Sequence, residues 1–348
     1  MYLFFRTMLF ANTDPTLIIG AGGDVAFGRY LKNNEYRSHG GENPFGDVNT
    51  LFEKSDLVFV NLETPLHDDI PPKIQSSIET SSGLIFRADE DYAHILSAAG
   101  IDIVSIANNH LEDCGKKGIQ STQEVLALSK VAYVGADVYK NPYEPTILHK
   151  NDIEIVIFGR STRRNFGSID QNSPSYIAYE TTASIAQNAF SQIKAYKQKY
   201  PKALFLYSIH WGEEYRNLPT SMQRKTAHQL IDAGIDVVLG HHTHVLQPIE
   251  IYNDGVILYS MGNLIFDQLR QDTQKSAFFQ MEFVWKDTWI PHQIEIFPLQ
   301  LQTTPLSTTT STDPHILETF RIHSHQKPFE TDLYWENNKL IWQHPQSF

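Results

Sequence analysis

Residues 236–248 read DVVLGHHTHVLQP, and this stretch carries the pattern on which the fold is built. The apolar run 236–239 is short and ends at Gly240, which is typical of a buried strand in an α/β protein. In an extended segment, His242 and His244 would point to the same side, as two ligands of one ion must. The stretch therefore predicts a strand that ends at a binding site.

The same combination of a short apolar run and a polar turn occurs repeatedly upstream. The runs that predict strands are 17–19, 57–60, 101–106, 153–158, 203–209 and 236–239. Segments with a helical pattern lie between them, at 91–99, 118–129, 182–200 and 221–233. Strands that alternate with helices of this length predict an α/β architecture.

Downstream of His244 the pattern changes to paired strands. Residues 248–260 contain Asn253-Asp254-Gly255 between two apolar runs, which predicts a β-hairpin with a tight turn. Residues 278–285 and 292–297 are typical of two more antiparallel strands. We therefore expect an antiparallel addition in the second half of the chain.

The C-terminal residues are expected to pack on the main domain. The segment 302–312 is rich in Thr and Ser and predicts a loop or linker, with a short helix at 315–323 and a hairpin within 333–342. The predicted organisation has three parts, namely an N-terminal extension at 1–14, a main domain at 15–300, and a C-terminal linker with helix and hairpin at 301–348.

The first ten residues form an apolar run that Arg6 interrupts. The run is far shorter than the ~18–20 residues that span a bilayer, and it lacks the basic start of a secretory signal. We interpret it as a frayed or packed extension, or alternatively as the remnant of an export signal or membrane anchor.

Composition excludes several classes of protein. The chain has 348 residues with 28 Lys and Arg against 40 Asp and Glu, a net charge of -12, and this acidic balance predicts no nucleic-acid partner. The single cysteine excludes a disulfide framework and a cysteine-based zinc site. A small phosphorylated substrate stays open, because a bound metal ion can supply positive charge.

Residues that can ligate a metal ion stand at the ends of five predicted strands. They are Asp24, Glu63, Asn109 with His110, His210, and His242 with His244. Ligands of α/β proteins bind at the carboxyl ends of strands, so we expect these side chains to meet. Imidazole and carboxylate groups suit Mn, Fe, Zn or Mg ions, and a bridging carboxylate would allow a two-metal site.

Six segments carry the pattern of a known family. They are GGDVAFGR (22–29), NLETPL (61–66), SIANNH (105–110), HWGEEY (210–215), GHHTHVLQP (240–248) and YSMGNLIFD (259–267). In this order, they resemble the CapA family (PGA_cap) of capsule, or poly-γ-glutamate, synthesis proteins. That family is a branch of the calcineurin-like metallophosphoesterase superfamily. The resemblance implies a four-layer α/β/β/α sandwich of two mixed sheets flanked by helices.

The resemblance also implies a role for each matching residue. Asp24 and His244 would ligate a first metal ion, and Glu63 would bridge it to a second ion. The second ion would be held by three further residues, namely Asn109, His210 and His242. His110 would protonate the leaving group or stabilise the transition state.

Two positions depart from the superfamily pattern. The first motif is normally Asp-x-His, but Ala26 stands at its third position, and Glu63 replaces a shorter bridging aspartate. We therefore expect one or two divalent ions, with the first-metal site weakened by Ala26.

Three further residues are predicted to bind substrate. Arg29 would supply positive charge to an anion, with Arg160 as a weaker alternative. Asn263 lies on a loop expected to face the site, and Glu213 would bind substrate, support a metal ligand or act as a base.

Three functions remain open from the sequence. The first is metal-dependent hydrolysis of a phosphoester or a γ-glutamyl or peptide bond, by metal-bound hydroxide with His110 as the acid. The second is a non-catalytic subunit that binds or assembles polyglutamate. The third is metal-independent acid/base peptide chemistry with Asp24, His110 and His244.

The expected partner is an anionic small molecule or a polyglutamate-type polymer. The resemblance implies a membrane synthase complex and a cell-surface or extracytoplasmic location, although the sequence holds no complete signal or transmembrane segment.

Overall fold

Two large β-sheets packed face to face form the centre of the computed structural model, which describes residues 14–30, 36–38, 43–69, 85–165 and 175–346. The predicted N-terminal extension therefore lies outside the described residues, apart from Asp14. The strands are β1 (Thr16–Val25), β2 (Gly28–Tyr30), β3 (Tyr36–Ser38), β4 (Leu57–Leu62), β5 (Ile85–Phe86), β6 (Ile103–Ser105), β7 (Ala132–Val134), β8 (Thr146–Lys150), β9 (Ile153–Ser161), β10 (Leu204–His210), β11 (Val237–His241), β12 (Leu246–Tyr252), β13 (Gly255–Met261), β14 (Asn263–Ile265), β15 (Lys275–Trp285), β16 (Trp289–Thr303), β17 (Leu306–Thr310), β18 (Tyr334–Glu336) and β19 (Lys339–Gln343).

Helices cover the outer faces of the two sheets. They are α1 (Asn49–Phe52), α2 (Tyr92–Ala99), α3 (Gly115–Leu128), α4 (Thr182–Lys199) and α5 (Ser221–Ala233). A further helix, α6 (Glu318–His325), lies against β12 and packs Phe320 into the core between the sheets. Short 3-10 turns stand at Gly46–Val48, Gln271–Gln274 and Pro314–Ile316. Among the described residues, no helix combines the length and the apolar character needed to cross a membrane.

Both sheets mix parallel and antiparallel neighbours. The first sheet has the order β18-β19-β16-β15-β1-β4-β6-β7, with β14 paired to β1 and β17 paired to β16. The second has the order β12-β13-β11-β10-β9-β8. In the first sheet β1, β4, β6 and β7 run parallel, and in the second β9, β10, β11 and β13 do. A small third sheet, β3-β2-β5, lies apart from these two.

Side-chain alternation along the strands creates the layers. In β4, Leu57 and Phe59 point into the core between the sheets, while Val58 and Val60 point outward toward the helices. The outer face of the first sheet packs on α2 and α3 through Leu96, Ile119 and Leu126. The outer face of the second sheet packs on α4 and α5 through Ile185, Ile193 and Leu230. The order of helix, sheet, sheet and helix confirms the predicted four-layer α/β/β/α sandwich.

Local sequence signals explain the ends of the best-defined helix. Thr220 and Gln223 form a reciprocal capping box at the start of α5, and Gly234 ends it at a φ of 112°. The predicted hairpin also forms, because Asn253 and Asp254 adopt the positive φ angles of 48° and 61° that its tight turn needs.

The C-terminal residues differ from the expectation at one point. The sequence predicts a loop for 302–312, but Leu306–Thr310 forms β17 and pairs with the long strand β16. Thr residues have high strand propensity, and the polar composition reflects a strand whose side chains alternate between buried and partly exposed positions. The terminal hairpin, β18 and β19, forms as predicted and extends the same sheet beyond β16.

Candidate metal centre

The carboxyl ends of strands from both sheets meet at one edge of the sandwich. The first sheet delivers Asp24, Glu63 and the loop after β6, which carries Asn109 and His110. The second sheet delivers its residues from the ends of β10 and β11, namely His210, His242 and His244. All seven side chains are buried, with exposed fractions between 0% and 9%.

A bulge in β1 positions Asp24. The sequence predicts Asp24 just beyond its strand, but the residue lies inside β1, where the register against β4 shifts between Ala21 and Asp24. Gly23 makes the bulge possible, since a Cβ there would lie 2.0 Å from the carbonyl oxygen of Gly262. The Asp24 backbone NH then donates to that same oxygen at 2.9 Å.

The histidine-rich turn reaches the site differently from the prediction. The sequence predicts an extended segment with His242 and His244 on one side, but β11 ends at His241 and both residues have positive φ angles, of 93° and 59°. Such a conformation costs conformational free energy in a non-glycine residue, and strained backbone of this kind is concentrated at functional sites. The turn, rather than strand alternation, brings the two rings within 6.2 Å of each other.

Glu63 lies at the centre of the cluster. It is fully buried, and neither carboxylate oxygen has a hydrogen-bond partner among the described residues. Its Oε1 faces three imidazole nitrogens, at 3.9 Å from His110 Nε2, 4.0 Å from His210 Nε2 and 4.0 Å from His244 Nε2. Burial, reinforced by the nearby charge of Asp24, raises the pKa of Glu63 well above its usual value.

This geometry fits a cation. A buried carboxylate without hydrogen bonds is costly, and a divalent ion between its oxygen and the facing nitrogens would remove that cost. The carboxylate and imidazole donors suit the Mn, Fe, Zn or Mg ions expected from the sequence.

On one side of Glu63, three donor atoms converge. Asn109 Oδ1 lies 2.7 Å from His210 Nε2, which lies 3.1 Å from His242 Nδ1. Neighbouring ligands of an ion bound at about 2.1 Å are separated by roughly 3 Å, so this spacing suits a shared ion. Burial holds the pKa of both histidines well below the usual value, so they stay neutral with lone pairs available. Asn165 accepts a 2.9 Å hydrogen bond from Asn109 Nδ2 and thereby turns Oδ1 toward the centre.

On the other side of Glu63, the donor atoms are already engaged. One atom each from Asp24, Glu63 and His244 lies within 4.8 Å of the other two. However, Asp24 Oδ1 accepts a hydrogen bond from Asn61 Nδ2 at 2.8 Å, and Oδ2 accepts one from the His242 backbone NH at 3.2 Å. Ala26, two residues after Asp24, adds no ligand.

Opposed effects set the charges on this second side. Burial alone would raise the pKa of Asp24, but the nearby imidazoles of His241 and His244, at 3.4 Å and 3.5 Å from its oxygens, hold it well below its usual value. Burial alone would lower the pKa of His244, but the carboxylates of Glu63 and Asp24 raise it to about 9. Asp24 and His244 therefore form an ion pair, with His244 Nδ1 3.5 Å from Asp24 Oδ2.

His110 is held by a carboxylate behind it. Its Nδ1 lies 2.8 Å from Asp113 Oδ2, and its ring stacks on Phe86 with centroids 3.7 Å apart. The hydrogen bond to Asp113 leaves Nε2 as the atom that faces Glu63. Burial raises the pKa of Asp113, and the charge of His110 offsets part of this rise. Sequence reasoning assigned no role to Asp113, although its place three residues after His110 was a signal for such a pair.

The predicted substrate-binding residues take other positions. Asn263 is fully buried, and its Oδ1 accepts a hydrogen bond from His244 Nδ1 at 3.0 Å, so it orients His244 instead of facing substrate. Glu213 is exposed and pairs with Arg216 at 3.4 Å outside the cluster. Arg29 is neutralised by Asp267 at 2.6 Å.

Arg160, the weaker alternative for anion binding, is buried away from the cluster. It lies 3.5 Å from Glu180 and donates to Tyr143 and Gln192. Its role is therefore to hold the second sheet and α4 together.

Comparison with known proteins gives one family match over most of the chain. The model of the family described as bacterial capsule synthesis protein PGA_cap matches residues 18–268. This range contains every residue of the cluster.

Curated relatives agree with this match. The capsule biosynthesis protein CapA of Bacillus anthracis is 30% identical over 286 residues, which cover 80% of this chain and 66% of that protein. The PGA biosynthesis protein CapA of Bacillus subtilis (strain 168) is 29% identical over 271 residues, or 77% of this chain and 68% of that protein. A probable polyglutamine synthesis accessory protein of Mycobacterium tuberculosis is 27% identical, and the match covers 60% of its length. The chain thus spans about two thirds of the length of the relatives it matches.

Proposed function

The chain belongs to the bacterial capsule synthesis family PGA_cap, and from this premise we propose that it serves capsule or poly-γ-glutamate synthesis as a metal-dependent hydrolase. The bond cleaved would be a phosphoester or a γ-glutamyl or peptide bond. An anionic small molecule or polyglutamate-type polymer would be the substrate, and a membrane synthase complex would be the partner.

One observation carries the proposal. Glu63 is a fully buried carboxylate with no hydrogen bond to either oxygen among the described residues, and it faces three histidine nitrogens at 3.9–4.0 Å. A residue kept only for packing would be hydrogen-bonded or apolar. When bound, a divalent cation supplies Lewis-acid activation of the substrate and a nucleophile from water.

Residues of the chain would bind the ions and donate the proton. Glu63 would be shared by ions on both sides, with Asn109, His210 and His242 on one side and Asp24 and His244 on the other. His110 presents Nε2 to the centre while Asp113 holds Nδ1, an arrangement that orients a general acid. Burial of the cluster excludes bulk water and strengthens these interactions.

The test combines elemental analysis with turnover. Protein purified without chelators should carry one or two divalent ions per chain and should hydrolyse at least one member of a panel of phosphoesters and γ-glutamyl peptides. His110→Ala should lose turnover and keep its metal, because His110 is not needed as a ligand.

Two results would contradict the proposal. Metal-free protein that gains no ion on titration with Mn²⁺ or Zn²⁺ would exclude the metal centre. Metal-loaded protein that binds oligo-γ-glutamate without hydrolysing any probe would favour the non-catalytic assembly role.

A further inference from the structure

The loop that follows β9 borders the cluster. Ser161, the last residue of β9, pairs in register with His210, and the next backbone NH, of Thr162, donates to the His210 carbonyl oxygen at 2.9 Å. Three residues later, the Asn165 side chain contacts Asn109 at 2.9 Å and His110 Nδ1 at 3.3 Å. Arg163 lies between these two anchors, so the loop holds it beside the site.

The backbone of Arg163 is fixed at both ends. Its NH donates to Ser161 Oγ at 3.1 Å, and its carbonyl oxygen accepts a hydrogen bond from the same hydroxyl at 2.8 Å. Its side chain is half-buried. Arg163 is therefore fixed at the point where the loop borders the cluster.

The neighbouring arginines are neutralised, whereas Arg163 is not. Arg29 pairs with Asp267, Arg160 pairs with Glu180, and Arg164 makes two hydrogen bonds to Glu112 at 2.9 Å and 3.0 Å. Within the residues that the structure describes, no carboxylate lies within ion-pairing distance of Arg163, and its buried Nε has no hydrogen-bond partner. A half-buried guanidinium without an acceptor is suited to a ligand that brings its own negative charge.

We propose that Arg163 is the oxyanion-binding residue of this site, and that its guanidinium binds a phosphoryl or carboxylate group of the substrate. The planar fork of an arginine matches both groups with two parallel hydrogen bonds. The assignment gives an acidic protein of net charge -12 a local positive charge for an anionic ligand. This assignment rests on the proposed function, which places the substrate at the cluster. Binding of an anion by Arg163 can nevertheless be measured without turnover.

The experiment compares Arg163→Ala with Arg216→Ala. Arg216 is 71% exposed and pairs with Glu213 at the surface, so its removal changes the net charge equally without touching the cluster. Binding of inorganic phosphate and of tri-γ-glutamate to Mn²⁺-treated protein is measured by calorimetry, together with metal content. Arg163→Ala should weaken binding of at least one anion by about 10- to 100-fold, the effect of losing a charge-assisted hydrogen bond. Arg163→Lys should recover part of this loss, since it keeps the charge and loses the fork.

The two anions separate the two possible sources of the oxyanion. Loss of phosphate binding alone identifies a phosphoryl group, and loss of tri-γ-glutamate binding alone identifies a carboxylate. If a substrate is turned over, KM should rise with little change in kcat, because the contact is made in the ground state.

Several outcomes would overturn the assignment. They are unchanged binding in Arg163→Ala, an equal loss in Arg216→Ala, loss of metal content together with anion binding, and failure of the unmodified protein to bind either anion. Anion binding that depends on Arg163 in a protein without hydrolysis would instead reject the proposed function and keep the assignment.

Discussion

The two sides of Glu63 are built from the same kinds of residue but differ in how their donor atoms are engaged. On the Asn109 side, neutral His210 and His242 converge with Asn109 Oδ1 at 2.7–3.1 Å. On the Asp24 side, Asp24 already accepts hydrogen bonds from Asn61 and from the His242 backbone, and it pairs with a protonated His244.

The difference predicts two affinities in one cluster. An ion on the Asn109 side replaces hydrogen bonds between neutral side chains. An ion on the Asp24 side must displace an ion pair, release a proton from His244 and do without a ligand at Ala26. We therefore expect a tight site on the Asn109 side and a weak site on the Asp24 side.

Glu63→Gln should have the largest effect, because both sides share this carboxylate. Metal content should fall to background, and the metal-free variant should melt at a higher temperature than the metal-free parent, since burial and the nearby charge of Asp24 disfavour a carboxylate at this position. Elemental analysis and thermal melting measure the two effects. Glu154→Gln, which changes a partly exposed carboxylate at the start of β9, should alter neither. A lower melting temperature for metal-free Glu63→Gln would assign Glu63 a structural role.

His210→Ala tests the tight side alone. It removes the nitrogen that lies 2.7 Å from Asn109 Oδ1. Affinity for the first equivalent of Mn²⁺ or Zn²⁺ should therefore fall by at least about 100-fold, which is more than the loss of a residue that only orients a ligand would cause. Competition with a chelating dye gives the affinity. Equal first-equivalent affinity in His210→Ala and the parent protein would show that the Asn109 side does not hold the tighter ion.

His244→Ala is the matched variant on the weak side. Affinity for the second equivalent should fall by about 10-fold or more, while the first equivalent stays within about 3-fold of the parent. The same titration resolves both steps. If the first equivalent is lost instead, the order of the two sites is reversed.

Ala26→His should have the smallest effect. It adds a ligand on the Asp24 side. A histidine here, two residues after Asp24, should tighten the second equivalent by up to about 10-fold. Because Ala26 is buried beside Phe86 and Phe266, Ala26→Leu serves as the control for added bulk without a ligand. Equal affinities in the two variants would show that the missing ligand does not limit the weak side.

Much of the architecture follows from local patterns. The α5 boundaries agree with the prediction because Thr220, Gln223 and Gly234 carry their own capping signals. The strand ends predicted to meet do meet, since parallel neighbours such as β4 and β6 place their carboxyl ends together.

Details that depend on distant segments could not be predicted in this way. The β1 bulge needs the carbonyl of Gly262, and the turn at His242 and His244 needs positive φ angles that histidine rarely adopts. The pairing of Arg29 with Asp267 joins residues 238 positions apart, and the contacts of Asn263 with His244 and of Arg160 with Glu180 depend on the tertiary fold. The polar segment at 306–310 forms a strand because the adjoining strand β16 pairs with it.

The placement of the cluster between two sheets also determines when it can form. The hydrogen bond from the His242 backbone to Asp24 closes a separation of 218 residues, and Asn109 and His210 are 101 residues apart. Contacts of such sequence separation form slowly, because loop-closure entropy must be overcome first. A chain emerging from the ribosome holds no complete ligand set until His244 has been synthesised and the two sheets have docked. The cation would therefore stabilise the two-sheet structure after it has folded, and would not nucleate its folding.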